Sequence, residues 1–154
     1  MTETTAQDVL AILDLAEELG VKVWVDGGWA VDACLGRQTR RHADLDLALS
    51  SPDMGILARA LRARGYSTAP RDDSRSTNFA LGDEEGREVD LHAAELYPPG
   101  SLASGGEIAG CKVECVGPEW LVRFHSGYQL DEDDRADVLA LCAAFRIELP
   151  AEYR

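Results

Sequence analysis

Hydrophobic and polar positions alternate along this chain in segments that switch between helical and strand spacing. Apolar residues recur at helical spacing over 6–19 and 52–64, and each segment ends next to a glycine. A third helix is predicted over 27–35, directly after the first strand and closed by Gly36. Ser51 is predicted to cap the helix at 52–64. Short β-rich or alternating runs predict strands at 21–25, 45–49, 66–69, 78–81 and 88–94.

The second half of the chain is predicted to add two short strands and two helices. The strands are expected at 108–109 and 112–116 after a loop over 98–106, one helix is expected from about 117, and Asp131 is expected to cap the last helix. This order indicates an α+β fold with a mixed or antiparallel sheet flanked by helices. We predict one compact domain in which a helical C-terminal portion, 117–154, packs on a core formed by residues 1–116.

Composition and charge narrow the classes of partner. The 154 residues carry 28 acidic and 15 basic side chains, for a net charge of -13. Nucleic-acid and anionic membrane surfaces attract basic proteins, so neither partner is expected, whereas metal ions and amine-bearing small molecules suit an acidic chain. No apolar run nears the roughly 20 residues that span a bilayer. Four cysteines without a secretion signal are expected as reduced thiols, which predicts a cytoplasmic location.

Three aspartates that interrupt apolar runs are the best candidates for a metal site. Asp44 and Asp46 are two residues apart on a predicted strand, so their side chains point to the same face while the leucines between and after them point to the core. Asp90, on an adjacent strand, would add a third carboxylate. Three such groups repel one another, and a divalent cation such as Mg²⁺ would relieve the repulsion. An Asp-x-Asp pair that simply faces water has the same spacing, so the spacing alone leaves both interpretations open.

A glycine turn precedes this acidic pair. Gly27 and Gly28 lie between a strand and a helix start, where free backbone N–H groups and the positive end of the helix dipole favour phosphate. Arg40, Arg41 and His42 follow shortly before the acidic pair and could face a triphosphate. A plain tight turn followed by an exposed basic loop would fit the same residues.

The stretch VWVDGGWAVDACLGRQTRRHADLDL closely resembles the antibiotic nucleotidyltransferases, which act on aminoglycosides or lincosamides, within the DNA polymerase β-like superfamily. A third family carboxylate matches Asp90, and the tail 119–128 is also similar, so the resemblance spans about 21–147. Larger relatives hold the acceptor with a helical domain that this chain lacks, so its acceptor site must be small, open or completed by a second subunit, as in a homodimer. The matching positions are Gly27, Gly28, Trp29, Asp32, Gly36, Arg37, Thr39, Arg40, His42, Asp44 and Asp46.

The resemblance implies Mg²⁺-dependent transfer of a nucleoside monophosphate, with AMP from ATP as first choice, to a hydroxyl of a small molecule such as an aminoglycoside or lincosamide. Pyrophosphate would leave. Asp44 and Asp46 would bind Mg²⁺, in a site for two ions, and Asp90 would be a third ligand or accept the hydroxyl proton. Nucleotide binding is assigned to Gly27, Gly28, Arg40 and His42, and acceptor binding to Glu88, His92, Glu95 and Tyr128.

Two alternatives remain beside this interpretation. The acceptor could instead be a protein or a tRNA end, although the acidic charge argues against RNA. The chain could also be a degenerate module that binds a nucleotide without catalysis, although the presence of all three carboxylates argues against that.

Overall fold

A computed structural model describes residues 2–69, 74–125 and 131–154 of the chain. The helices are α1 (Ala6–Glu18), α2 (Gly27–Leu35), α3 (Ser51–Ala63), α4 (Pro118–Phe124) and α5 (Glu132–Phe145). The strands are β1 (Val23–Asp26), β2 (Asp44–Leu49), β3 (Ser67–Ala69), β4 (Asn78–Gly82), β5 (Glu88–Ala93), β6 (Ser104–Ile108) and β7 (Cys111–Cys115). Two short 3₁₀ helices cover Ala94–Leu96 and Ala151–Tyr153.

The strands of the described residues form one sheet in the order β3-β4-β5-β2-β1-β7-β6. β2 is parallel to β5 and β1 is parallel to β7, while the other neighbouring pairs are antiparallel. The prediction of an α+β fold with a mixed sheet and a helical C-terminal portion is therefore confirmed. Within the described ranges, no helix is both long and apolar enough to cross a membrane.

Local signals set most helix starts. α5 begins with the predicted cap, because the Asp131 side chain accepts a hydrogen bond from the backbone N–H of Asp134. The Asp134 side chain in turn accepts a hydrogen bond from the backbone N–H of Asp131. The cap of α3 was predicted one residue late, because the side chain of Ser50, not Ser51, accepts from the backbone N–H of Asp53. Two adjacent serines offer the same chemistry, and backbone geometry selects between them.

The predicted loop at 98–106 is partly wrong, because β6 already begins at Ser104. Two glycines in this segment make it look like a loop, yet a side chain at Gly106 would overlap the backbone carbonyl of Ala33 in α2. Glycine is thus needed here for the close approach of a strand to a helix. β6 and β7 are consequently a longer hairpin than the alternating pattern predicted.

The central strands separate an apolar from a polar face. The side chains of Leu45, Leu47 and Leu49 in β2 are fully buried and belong to one core cluster with the apolar residues of α1 and α3. Acidic side chains alternate with them and lie on the opposite face. α4 and α5 pack on each other and on α2, although the division into 1–116 and 117–154 stays a prediction.

Candidate active site

Strand register places the predicted acidic residues side by side. In the parallel pair of β2 and β5, Asp44 is opposite Glu88 and Asp46 is opposite Asp90. On the other side of β2, Asp26 of β1 is opposite Asp46. Paired residues share a face of the sheet, so the polar face concentrates negative charge on three neighbouring strands.

The tightest cluster on this face contains Asp46, Asp90 and His92. Each offers one ligand atom, and these atoms all lie within 4.8 Å of one another. His92 Nε2 is 3.1 Å from Asp46 Oδ1. Asp44 is not part of this group within the described residues, but it lines a cavity together with Asp46 and His92. The structure therefore brings Asp90 next to Asp46, as the sequence predicted, and adds His92.

The electrostatics of Asp46 fit a cation site. Burial raises the pKa of Asp46, and the charges of Asp44 and Asp26 raise it further, while the hydrogen bond with His92 lowers it. Burial alone would lower the pKa of His92, but Asp46, Asp26 and Asp90 outweigh burial and raise it. Carboxylate oxygens that repel one another in a half-buried pocket are a suitable donor set for Mg²⁺, which Asp44, Asp46 and Asp90 could hold.

The glycine turn lies against this acidic cluster. Gly27 has a φ of 64°, and a Cβ there would overlap Asp46 Oδ2. Its backbone N–H donates to Asp26 Oδ1 at 2.7 Å, so Asp26 caps α2. Only glycine fits the turn, because the backbone approaches the carboxylate closely with a left-handed conformation.

Arg40 and His42 lie close to Gly28. The guanidinium of Arg40 is paired with Asp137 of α5 and lines the cavity. His42 is only 3% exposed, and its Nε2 is 2.6 Å from Asp32 Oδ2. His42 thus has the position of a buried support for the turn.

A cavity of about 540 Å³ is lined by the glycine turn, Arg40, Asp44, Asp46 and His92. Its walls come from the glycine turn, from β2 and β5, from the segment before β2, from His125 and from the start of α5. The carboxylates on its wall are Asp26, Asp44, Asp46, Asp131, Asp133, Asp134 and Asp137.

A second cavity of about 340 Å³ shares Asp26 and His92 with the first. Tyr97 and Phe124 form an aromatic wall, with ring centroids 6.0 Å apart. The Tyr97 hydroxyl donates to Asp26 Oδ2 at 2.6 Å, and burial raises the pKa of Tyr97. Leu96, which is 69% exposed, lies at its rim. This cavity is less polar than the first and suits a molecule with an apolar part.

The predicted acceptor residues are dispersed. His92 lines both cavities, and Glu88 lies on the same face of β5 beside Asp44. Glu95 instead accepts hydrogen bonds from the backbone N–H of Ser51 at 3.0 and 3.1 Å and lines neither cavity. Tyr128 lies outside the described residues.

The sequence patterns missed several residues of the two cavities. Asp26 directly precedes the glycine turn, so its position after a strand was an available signal. Tyr97 and Asp137 had no comparable signal, because they are 71 and 97 residues away from the partners with which they pair.

Comparisons with known proteins identify the family of this chain. Residues 8–105 match the aminoglycoside-2''-adenylyltransferase family. A lincosamide resistance protein of Staphylococcus haemolyticus is 29% identical over 150 residues, which covers 87% of this chain and 92% of that protein. A 2''-aminoglycoside nucleotidyltransferase of Escherichia coli is 38% identical over 123 residues, which covers 75% of this chain and 69% of that protein.

Solved structures show the same fold. The crystal structure of a lincosamide antibiotic adenylyltransferase with bound lincomycin superposes with a TM-score of 0.79 at 28% identity, and the match covers 91% of this chain and 98% of that one. The resemblance found in the sequence is thereby confirmed. The residues that match the family cover most of the fold, including β1, α2, β2 and β5. The chain therefore belongs to the aminoglycoside-2''-adenylyltransferase family and is a nucleotidyltransferase.

Proposed function

We propose that this enzyme transfers AMP from ATP to a hydroxyl group of a small antibiotic of the lincosamide or aminoglycoside class, with release of pyrophosphate. The observation that supports this most is the parallel register of β2 and β5, which sets Asp46 beside Asp90 against the glycine turn. The relatives named for lincosamide resistance and for 2''-aminoglycoside nucleotidyl transfer support the acceptor class.

The chemistry assigns a role to each residue of the acidic cluster. Asp44, Asp46 and Asp90 would hold Mg²⁺, which when bound neutralises negative charge on the triphosphate. The acceptor oxygen forms the new bond to the α-phosphorus, the bond from that phosphorus to the bridging oxygen breaks, and pyrophosphate leaves with the electron pair. As the alternative to holding the ion, Asp90 would accept the proton of the acceptor hydroxyl, and such proton transfer contributes about 10²–10⁴-fold.

Nucleotide and acceptor are assigned to the two cavities. The triphosphate lies in the larger cavity, against the backbone of Gly27 and Gly28 and next to Arg40, with His42 supporting the turn from behind. The acceptor enters the smaller cavity and reaches the reacting phosphate past His92, which lines both. Glu88 remains a candidate acceptor contact at the edge of the same sheet face.

The test is pyrophosphate release in the presence of each nucleoside triphosphate, Mg²⁺ and either lincomycin, tobramycin or cellular RNA. We expect release with ATP and one of the antibiotics, its loss with a chelator and its return with added Mg²⁺. Asp90→Asn should abolish release, whereas Asp14→Asn, which removes a carboxylate from the exposed side of α1, should not. Release with RNA only, or equal activity with and without a chelator, would contradict the proposal.

A further inference from the structure

Two basic side chains converge on Gly28 of the glycine turn. A Cβ at position 28 would lie 2.6 Å from His42 Nδ1 and 2.8 Å from Arg40 Nη2. Both groups thus lie close to the turn against whose backbone the triphosphate is proposed to lie. They come from the segment between α2 and β2, which has no regular secondary structure to fix their directions.

A buried aspartate holds each of these basic groups. Asp32, at 2% exposure, pairs with His42, and Asp137, at 3% exposure, pairs with Arg40. Arg40 Nη2 is 3.1 Å from Asp137 Oδ2, and Arg40 Nε is 3.5 Å from Asp137 Oδ1, so both carboxylate oxygens take part. A two-point contact of this kind sets the plane of the guanidinium as well as its position.

We propose that Asp137 is a positioning residue for nucleotide binding, which acts by aiming the Arg40 guanidinium at the glycine turn so that its remaining N–H groups contact the phosphates. The inference rests on the proposed nucleotide site and deepens it. It makes α5, which belongs to the C-terminal portion of the chain, part of that site.

The geometry leaves Arg40 able to bind an anion. Its side chain is 28% exposed and lines the larger cavity together with Gly28. Besides the bonds to Asp137, Nη1 donates to the backbone carbonyl of Arg41 at 3.3 Å, and Asp133 Oδ2 lies 3.7 Å from it. A guanidinium carries two N–H groups on each terminal nitrogen, so among the described residues one on Nη1 and one on Nη2 have no hydrogen-bond acceptor and could donate to phosphate oxygens.

Stability alone is a weak explanation for the buried Asp137. Burial raises the pKa of Asp137 more than Arg40 lowers it, so burial of the charged carboxylate opposes folding more than its pairing with Arg40 favours folding. Buried ion pairs often contribute little net stability compared with well-packed apolar residues. The exposed Asp133, 3.7 Å from Arg40 Nη1, offers a contact that does not require burial. Without Asp137, Arg40 is free to turn toward this outer carboxylate and away from Gly28.

The experiment measures equilibrium binding of a non-hydrolysable ATP analogue with Mg²⁺ by calorimetry, which requires no acceptor and no turnover. We expect Asp137→Asn to weaken binding by about tenfold, because one strong charge-assisted contact is lost from the site. Glu132→Gln, which removes one exposed charge from the same helix outside the cavity, should change binding less than about twofold. The Michaelis constant for the acceptor should stay unchanged in both variants.

A double substitution separates positioning from a general structural effect. In an Arg40→Ala background, Asp137→Asn should cause no further loss of binding, since the group it positions is gone. Arg40→Lys keeps the charge but loses the two-point contact, and it should weaken binding by about as much as Asp137→Asn without altering the buried carboxylate. It therefore tests the idea even if Asp137→Asn does not fold.

Several results would overturn the inference. Unchanged or tighter nucleotide binding in Asp137→Asn would show that Asp137 has no positioning role or restrains Arg40 from the phosphates. A loss that persists in the Arg40→Ala background would show a purely structural role. A wild-type protein that binds no nucleotide would overturn the proposed function itself, which is a distinguishable outcome.

Discussion

Gly28→Ala and Gly55→Ala are expected to change stability in opposite directions, although both place one methyl group at a helical glycine. Gly28 lies in the first turn of α2, and its added Cβ would be 2.6–2.8 Å from atoms of His42 and Arg40. Gly55 lies within α3, and among the described residues no side chain and no backbone outside its own stretch of helix lies within 4 Å of the position that its Cβ would take. The comparison therefore isolates the close contact of Gly28 with His42 and Arg40.

The magnitudes follow from two opposing effects. Replacing a helical glycine by alanine stabilises a protein by about 0.5–1 kcal/mol, which is the full effect expected at Gly55. At Gly28 the added methyl group must displace side chains that are themselves held by buried aspartates, and overpacking of this kind costs about 1–3 kcal/mol. The net effect at Gly28 is a loss of about 1–2 kcal/mol, because the gain in helix propensity offsets only part of the cost.

Thermal unfolding followed by circular dichroism checks both values. For a chain of this length, each 1 kcal/mol shifts the unfolding midpoint by about 2–4 °C. We expect the midpoint of Gly28→Ala to fall by about 2–8 °C and that of Gly55→Ala to rise by about 1–4 °C. Gly28→Ala should also bind nucleotide more weakly, since the methyl group moves Arg40. A rise in the midpoint of Gly28→Ala that matched Gly55→Ala would refute the reasoning.

Three further predictions concern single contacts. Asp46→Asn should abolish pyrophosphate release without lowering the unfolding midpoint, because burial already disfavours the charged carboxylate; turnover near the wild-type rate would contradict the metal assignment. Thr39→Val should cost about 1–2 kcal/mol in urea unfolding, because Thr39 Oγ1 donates to the buried Asp32 at 2.5 Å, and an unchanged midpoint would exclude this contact. Arg87→Gln should cost about 1 kcal/mol at pH 7, because burial alone would raise the pKa of Asp83, and the Arg87 side chain, whose Nε donates to Asp83 Oδ2 at 2.7 Å, helps the retained backbone hydrogen bonds to lower it. The stability that Arg87→Gln removes is fully present above the ordinary aspartate pKa of about 3.9, and it should disappear as the pH falls through the lower pKa of Asp83 in the folded protein. A loss of stability that stayed constant in acid would contradict this prediction.

Short-range patterns were sufficient for much of the fold. The helix predicted at 27–35 is α2, and its end at Gly36 follows from the left-handed φ of 75° that glycine adopts without strain. Asp131 caps α5 through a contact only three residues away. Such elements depend on side chains and backbone groups within one or two turns, so the order of residues is enough to predict them.

The predictions that needed correction involve contacts between distant segments. Residues 104–106 of β6 were predicted as part of a loop because two glycines weaken the strand pattern, and only the close approach of α2 explains Gly106. Glu95 was a reasonable acceptor candidate beside Asp90, yet the chain turns at residues 94–96 and directs its carboxylate to the start of α3.

The sequence by itself determined which groups are available for the chemistry. They are the paired aspartates on one face of a strand, the glycine turn at a helix start and the basic residues between the turn and the aspartates. Only the tertiary structure decided how those groups combine. The pairing of β2 with β5 sets Asp46 beside Asp90, and the packing of α5 brings Asp137 to Arg40 across 97 residues of chain. The reason is physical: alternation along a strand requires only neighbouring residues, whereas register between strands and contacts between helices depend on how the whole core packs.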